Sequence, residues 1–344
     1  MFSRHASPEA NSSATSSATS NSAIAAKKIL FIGGTLNQTL MMHEVARHLG
    51  EHELYFSYFY MDSGILKTLA DIGIMHASIV GKGKFYNDSM AYFQAQGLRV
   101  DPEGQRGDYD LVVTCTDLIL PTNIRGKKIV VVQEGMMDPK NVLYYLARLF
   151  KLPGWVACNT STTGLSDAFV RFCVASGGYR DLFVSRGVNP AKIAVTGIPN
   201  FDNAVSRIRA DFPHRGYVLV ATSDRRETLR FENRQRTIED AVRIAAGRPL
   251  IFKLHPNEKL DRAVREIERH APGATVIRDG DAHELVANCE ALVTKYSSVV
   301  YTALALNKEV HCLMDVDTLR PLMPLQNGGV SGQNIARVCR DYLQ

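Results

Sequence analysis

Several features that mark whole classes of protein are missing from this chain of 344 residues. No run of about 18 apolar residues occurs, which excludes a membrane-spanning helix. The GxGxxG fingerprint is absent, so no nicotinamide site is expected. The six cysteines (Cys115, Cys158, Cys173, Cys289, Cys312, Cys339) form no CxxC pair and show no zinc-ligand spacing, so no metal site is expected. Several lie inside apolar runs such as DLVVTCTDL and EVHCLMD, the pattern of buried free thiols in a reducing compartment. Neither a dense Lys/Arg block nor a basic–aromatic patch is found, so nucleic acid is not an expected partner. The formal charge of +5 is a mild excess that fits an ordinary soluble surface as well as an anionic ligand. Residues 1–26 lack the apolar core of a secretory signal. Their SPEANSSATSSATSNSA stretch is predicted to be a disordered tail, and the expected location is the cytoplasm.

What the chain does contain is a globular composition, 45% hydrophobic and 22% charged, over a length that suits about two domains. From Lys27 onward, short apolar runs alternate with segments of helical spacing. KKILFIGG, ELYFSYFYM, DYDLVVTCTDL and KKIVVVQEG read as buried strands, with helices at TLNQTLMMHEVARHLG and ILKTLADIG. Gly50 is the expected stop of the first of these helices. The pattern repeats through FVRFCVASGGYRDLFVSRGVNPAKIAVTGIPNFDN. A basic, irregular stretch, SRIRADFPHRG, reads as a linker. A second set follows: GYVLVATSD, PLIFKLHP, TVIRDG, EALVTKYSS and EVHCLMD as strands. Its helices are TIEDAVRIAAG, LDRAVREIERHA, DAHELVANC (N-capped by Asp281), VVYTALALNK and QNIARVCRDYL. The predicted architecture is α/β, with two doubly wound parallel sheets. Residues 27–205 form the first domain and 206–325 the second. Residues 326–344 form a C-terminal helix that packs back on the first domain. Such sheets bind ligands at the carboxyl ends of their strands.

Four strand ends carry candidate chemistry. Gly34 and Thr35, before a helix, let a backbone approach a ligand, although a tight turn alone would explain them. Glu134 sits at the mouth of a buried strand, where a base is desolvated yet reachable; a carboxylate bonded to nearby amides is the plainer reading. His255, fixed by Pro256, can donate to a phosphate oxygen or protonate a leaving group, and Lys253 adds charge two residues earlier. Ser297 and Ser298, ahead of a helix starting near Val299, offer two hydroxyls beside unpaired N–H groups, or simply an N-cap. Softer signals are Ser223 and Arg225, where Arg225 or Arg226 could meet a diphosphate. Thr196–Asn200 is a hinge or cleft wall.

The segment DLFVSRGVNPAKIAVTGIPNFDN resembles the interdomain region of UDP-N-acetylglucosamine 2-epimerases and related GT-B proteins. IFKLHP and TKYSSVVYTALALNKEV resemble the HP and SS motifs of bacterial sialyltransferases, Kdo transferases and CDP-glycerol glycerophosphotransferases. VVVQEG is similar to the acidic-pair-plus-glycine motif of the sialyltransferases. The resemblance runs from Lys27 to about residue 315. It implies a GT-B-like fold with two Rossmann-like domains facing a cleft, an N-terminal acceptor domain and a C-terminal nucleotide-donor domain. By the same resemblance, Glu134 activates the acceptor hydroxyl, His255 contacts the donor phosphate and assists the leaving group, and Ser297 and Ser298 hold that phosphate.

There are departures. Gln133 replaces a second acid, Lys295 replaces an aspartate, and GGTLNQT replaces a GTRPE-like stretch. The paired glycines of the epimerase donor site are absent too, which argues against 2-epimerase chemistry. The expectation is a metal-independent, inverting transfer from a UDP-, CMP- or CDP-linked donor, with no separate cofactor, to a glycan or lipid-linked acceptor. Two rivals are a nucleotide-sugar epimerase and a non-catalytic nucleotide-sugar-binding protein. FYNDSMAYFQAQG and MMDPKNVLYYLARLFKLPGW are expected acceptor-contact regions. The second also suggests peripheral contact with the inner membrane face, although an internal packing helix is the simpler account. A homodimer is a further expectation.

Overall fold

A computed structural model describes residues 25–61, 84–137, 162–227 and 232–344. Residues 1–24 of the tail, the ILKTLADIG segment, Cys158 and all but the first two residues of the MMDPKNVLYYLARLFKLPGW segment lie outside the described residues. The apolar runs form two wholly parallel sheets. The first has six strands: β1 (Lys28–Gly33), β2 (Glu53–Tyr58), β3 (Leu111–Thr114), β4 (Ile129–Val132), β5 (Arg171–Val174) and β6 (Ile193–Val195), in the order β2-β1-β3-β4-β5-β6. The second has five: β7 (Val218–Ala221), β8 (Leu250–Lys253), β9 (Thr275–Ile277), β10 (Ala291–Thr294) and β11 (Glu309–His311), in the order β11-β10-β7-β8-β9. Every strand expected from the sequence is present. Their central members β3, β4, β7 and β10 are buried along their whole length, as continuous rather than alternating apolar runs require.

Helices cover the sheets. They are α1 (Leu36–Ala46), α2 (Lys84–Ala95), α3 (Gly177–Ser185), α4 (Arg234–Ala245), α5 (Leu260–His270), α6 (Ala282–Asn288), α7 (Val300–Ala305), α8 (Val316–Leu319) and α9 (Ser331–Arg340). Asp281 caps α6 through the His283 N–H, as its side-chain chemistry predicts. Helix α1 closes at Ala46, four residues short of Gly50. Gly50 is not in the left-handed conformation, so it is not the stop expected of it. The basic linker is no loose tether. Arg209 pairs with Glu284 at 3.0 Å, and Arg207 pairs with Asp281, both at the start of α6.

The doubly wound order decides where a site can form. In the second sheet the winding direction reverses between β7 and β10, and in the first between β1 and β3. Loops leaving the carboxyl ends on either side of such a reversal diverge and open a crevice.

Candidate functional site

One cavity of about 320 Å³ lies between the carboxyl ends of the two sheets. From the first sheet it is lined by Asn37, Gln133, Glu134, Gly135, Met136, Met137 and Thr162. From the second it is lined by Ser223, Asp224, His255, Tyr296, Ser297 and Ser298. Phe183, Phe201 and His283 complete the wall. The two lobes touch here: the Tyr296 hydroxyl donates to the Met137 carbonyl at 3.2 Å, and a Cβ on Gly135 would sit 3.9 Å from Ser298 Cβ. The cavity therefore brings together Glu134, His255, Ser297, Ser298 and Ser223. Gly34, Thr35, Arg225 and Lys253 are not part of its lining.

Glu134 follows β4 and is half-buried. Its Oε2 accepts the Gln38 side-chain N–H at 2.7 Å. Full burial, with the Glu134 charge added to it, pushes the neighbouring Cys115 thiol well above its usual range. Gln133, standing where the resemblance expects a second acid, is bonded at both ends of its amide. Its Oε1 accepts the Ala175 N–H at 2.9 Å and its Nε2 donates to the Gly135 carbonyl at 2.7 Å. It stitches the end of β4 to the end of β5, and an acid in its place could not donate the second bond.

His255 is held by its own turn. Its backbone N–H donates to Thr222 Oγ1 at 2.9 Å and to Glu258 Oε2 at 3.0 Å. Nδ1 accepts the Asn257 N–H at 3.2 Å, which assigns the proton of the neutral ring to Nε2. Asp224 Oδ2 lies 3.8 Å from Nδ1 and accepts from Asn257 Nδ2 at 2.9 Å, so an anion stands beside any imidazolium that forms. Glu258 is itself buried and paired with Arg234, which also faces Glu232 at 3.2 Å.

Lys253 is a correction. Its ammonium donates to the carbonyls of Leu254 at 3.0 Å and Arg278 at 3.1 Å. Because β8 ends at Lys253, strand alternation does not carry through to His255, and the charge serves the backbone rather than the cavity. Ser223 lines the cavity, but its hydroxyl donates to Glu232 at 3.1 Å. Arg226, offered with Arg225 as a diphosphate partner, makes a bidentate pair with Glu266 at 2.8 Å.

The serine turn also differs from expectation. Neither serine is the N-cap of α7; that position belongs to Val299. The N–H groups of Val300 and Tyr301 donate to the carbonyls of Ser297 and Ser298, at 3.2 and 3.1 Å. Those two amides are thus occupied, the Ser297 hydroxyl also accepts the Val299 N–H at 3.5 Å, and both serines line the cavity. Likewise Gly34 and Thr35 do not open onto it: their N–H groups both donate to Gln38 Oε1, in a capping box at the start of α1.

Sequence reasoning passed over Gln38, Glu258, Arg234, Asp224 and His283. A signal existed for the first, since Thr35-x-x-Gln38 has capping-box spacing. His283 carried none. Its Nδ1 lies 2.7 Å from Thr302 Oγ1, its ring meets Phe201 edge-on, and desolvation pushes its pKa down to about 4. Among the described residues, no group of three or more His, Cys, Asp or Glu is placed to hold a metal ion, and no helix is long and apolar enough to cross a membrane.

No family profile and no curated protein matches the chain. Solved structures do. A UDP-N-acetylglucosamine 2-epimerase of Methanocaldococcus jannaschii, in complex with UDP-GlcNAc and UDP, superposes with a TM-score of 0.55 at 13% identity, covering 91% of this chain and 99% of that one. A structure described as a putative UDP-N-acetylglucosamine 2-epimerase of Listeria monocytogenes gives 0.52 at 17%, covering 93% and 88%. The wall teichoic acid polymerase TagF gives 0.51 at 12%, covering 92% and 89%. At these identities the likeness is one of fold: this chain has the two-domain GT-B architecture.

Proposed function

We propose that this protein transfers a sugar, or a related group, from a nucleotide-activated donor to an acceptor hydroxyl. The observation that carries the reading is that Glu134 of one lobe shares a cavity with His255, Ser297 and Ser298 of the other. A displacement at an activated carbon needs a base on the acceptor side and charge stabilisation at the departing phosphate, which is how these groups are divided. Glu134 takes the acceptor proton. The Nε2–H of His255 and the two serine hydroxyls donate to the phosphate oxygens, with Asp224 beside the imidazole. The first domain (27–205) then holds the acceptor, and the second (206–325) the donor. The solved structures that contain UDP-sugars make a nucleotide-sugar the natural donor class. A glycan or lipid-linked acceptor fits the partly apolar lining of Met136, Met137, Phe183 and Phe201.

The test is a thermal-shift panel of UDP-, CMP-, CDP- and GDP-sugars, followed by nucleotide-release assays with the donor that binds. A selective ligand at about 100 times its Kd should add roughly 2.7 kcal/mol of stability. Glu134→Gln should lower turnover about 100-fold or more while keeping the ligand-induced shift. Parental turnover in Glu134→Gln would end the assignment. Conversion of UDP-N-acetylglucosamine to a new sugar without any acceptor would replace transfer with epimerisation.

A further inference from the structure

The turn after β1 adds no lining group of its own, yet one side chain of α1 ties it to Glu134. Gln38 is buried, and its Oε1 accepts two backbone N–H groups, from Gly34 at 2.7 Å and Thr35 at 3.3 Å. Two N–H donors can converge only on the oxygen end of a carboxamide, so the orientation of the amide is settled by its neighbours. Nε2 is thereby aimed at Glu134 Oε2, 2.7 Å away. We propose that Gln38 is the positioning residue of Glu134. The capping box of α1 fixes the amide, and the amide fixes the carboxylate toward the acceptor side of the cleft. The proposal rests on Glu134 being the base.

A glutamate at a cavity mouth has three rotatable bonds, and a base that samples several rotamers loses near-attack geometry. A donor locked from behind removes that freedom before the substrate arrives. Gln38 Nε2 offers only hydrogens, so the Glu134 oxygen that faces it accepts. Gly34 keeps this seat open: a Cβ there would lie 2.6 Å from Gln38 Oε1, the movable end of a side chain, so a larger residue would displace the amide rather than the fold.

Gln38→Glu is the discriminating variant. Glutamate is itself a preferred residue at this capping-box position, so α1 keeps its cap. The donor to Glu134 is lost, however, and a second carboxylate takes its place. We expect kcat to fall about tenfold or more at pH 7, and the acidic limb of its pH profile to move upward, because paired carboxylates retain a proton to higher pH. Donor KM should stay within about twofold, since Gln38 does not line the cavity. Gly34→Ala should lower kcat in the same direction. A stability cycle reads the contact without the reaction: Gln38→Glu should melt lower at pH 7, and adding Glu134→Gln should restore it, because donor and acceptor have exchanged sides. An active parent whose Gln38→Glu form keeps kcat and pH profile overturns the proposal alone. An additive cycle overturns it as well. A parent that turns over no donor removes Glu134 as base and this proposal with it.

Discussion

Two imidazoles share the cavity, and their surroundings give them different work. His255 is partly open, with an acceptor bond on Nδ1 and a carboxylate 3.8 Å away. His283 is enclosed by Phe201 and Thr302, and burial drives its pKa from the ordinary 6.5 to about 4. It therefore stays neutral where most histidines titrate. A group that is neutral when folded and protonated when unfolded makes stability rise with pH between those two values. The contribution is complete above about 6.5 and is lost as pH falls toward 4. Going from pH 7 to pH 5 should cost at most about 2 kcal/mol through His283, and His283→Gln should flatten that part of the profile in urea titrations. An unchanged slope would mean that the ring is solvated. The buried thiols are a parallel case: Cys173 is pushed up to about 12 and Cys289 to about 11, so neither should react readily with alkylating reagents at neutral pH.

Among the elements, the turn from His255 to Glu258 explains how a strand end becomes a rigid platform. Glu258 is 6% exposed, and its carboxylate accepts from Arg234, from the Thr222 hydroxyl and from the His255 N–H. Its own N–H returns to the His255 carbonyl at 3.1 Å. The three partners come from the turns just after β7 and β8 and from α4, so one acid ties the donor-side loops together. Removing it would leave the buried donors of Arg234, Thr222 and His255 without their shared acceptor, although Arg234 keeps Glu232, a loss of about 1–3 kcal/mol. Glu258→Ala should lower the midpoint of chemical denaturation accordingly. It should also weaken nucleotide-sugar binding, although Glu258 does not line the cavity. A variant with parental stability would show that the cluster adds nothing net.

The whole molecule is closed by its last nineteen residues. Asp202, after β6, is 3% exposed and accepts the Ser331 N–H at 2.7 Å and the Asn327 N–H at 3.0 Å. Asn327 Nδ2 donates to the Thr196 carbonyl at 2.9 Å. Gly197, with φ of 73° and Ser331 Oγ only 2.3 Å from where a Cβ would stand, has no room for a side chain. Helix α9 then packs on α1 and buries Ile335, Ala336 and Cys339 completely. The expected hinge or cleft wall at Thr196–Asn200 is thus the dock for the C-terminal segment. Burying one large aliphatic side chain is worth about 1.5–3 kcal/mol, and a domain is stable by only about 5–15. Deleting residues 326–344 should leave the first domain unfolded or aggregated, seen as loss of a cooperative melt by circular dichroism. Asp202→Asn should cost about 1–3 kcal/mol by weakening two buried bonds. A truncated chain that melts like the parent would mean that the dock is dispensable.

The strands, their parallel pairing and the loops that face the cleft could be read along the chain. A continuous apolar run can be satisfied only by burial on both faces, and that demand is local to the run. That Glu134, His255, Ser297 and Ser298 line the cleft was legible for the same reason, since each stands a few residues past such a run. Which polar atoms are already spent emerges only once the chain is folded. Lys253 binds backbone carbonyls, Ser223 donates to Glu232, and Gln133 bridges two strands, because their partners lie up to 42 residues away and come close only after the sheets wind. Gln38 meets Glu134 across 96 residues of chain, and a hydrogen bond of that span leaves no trace in local pattern. Spacing reports what a residue could do; the fold settles what is left for it to do after its neighbours have bonded.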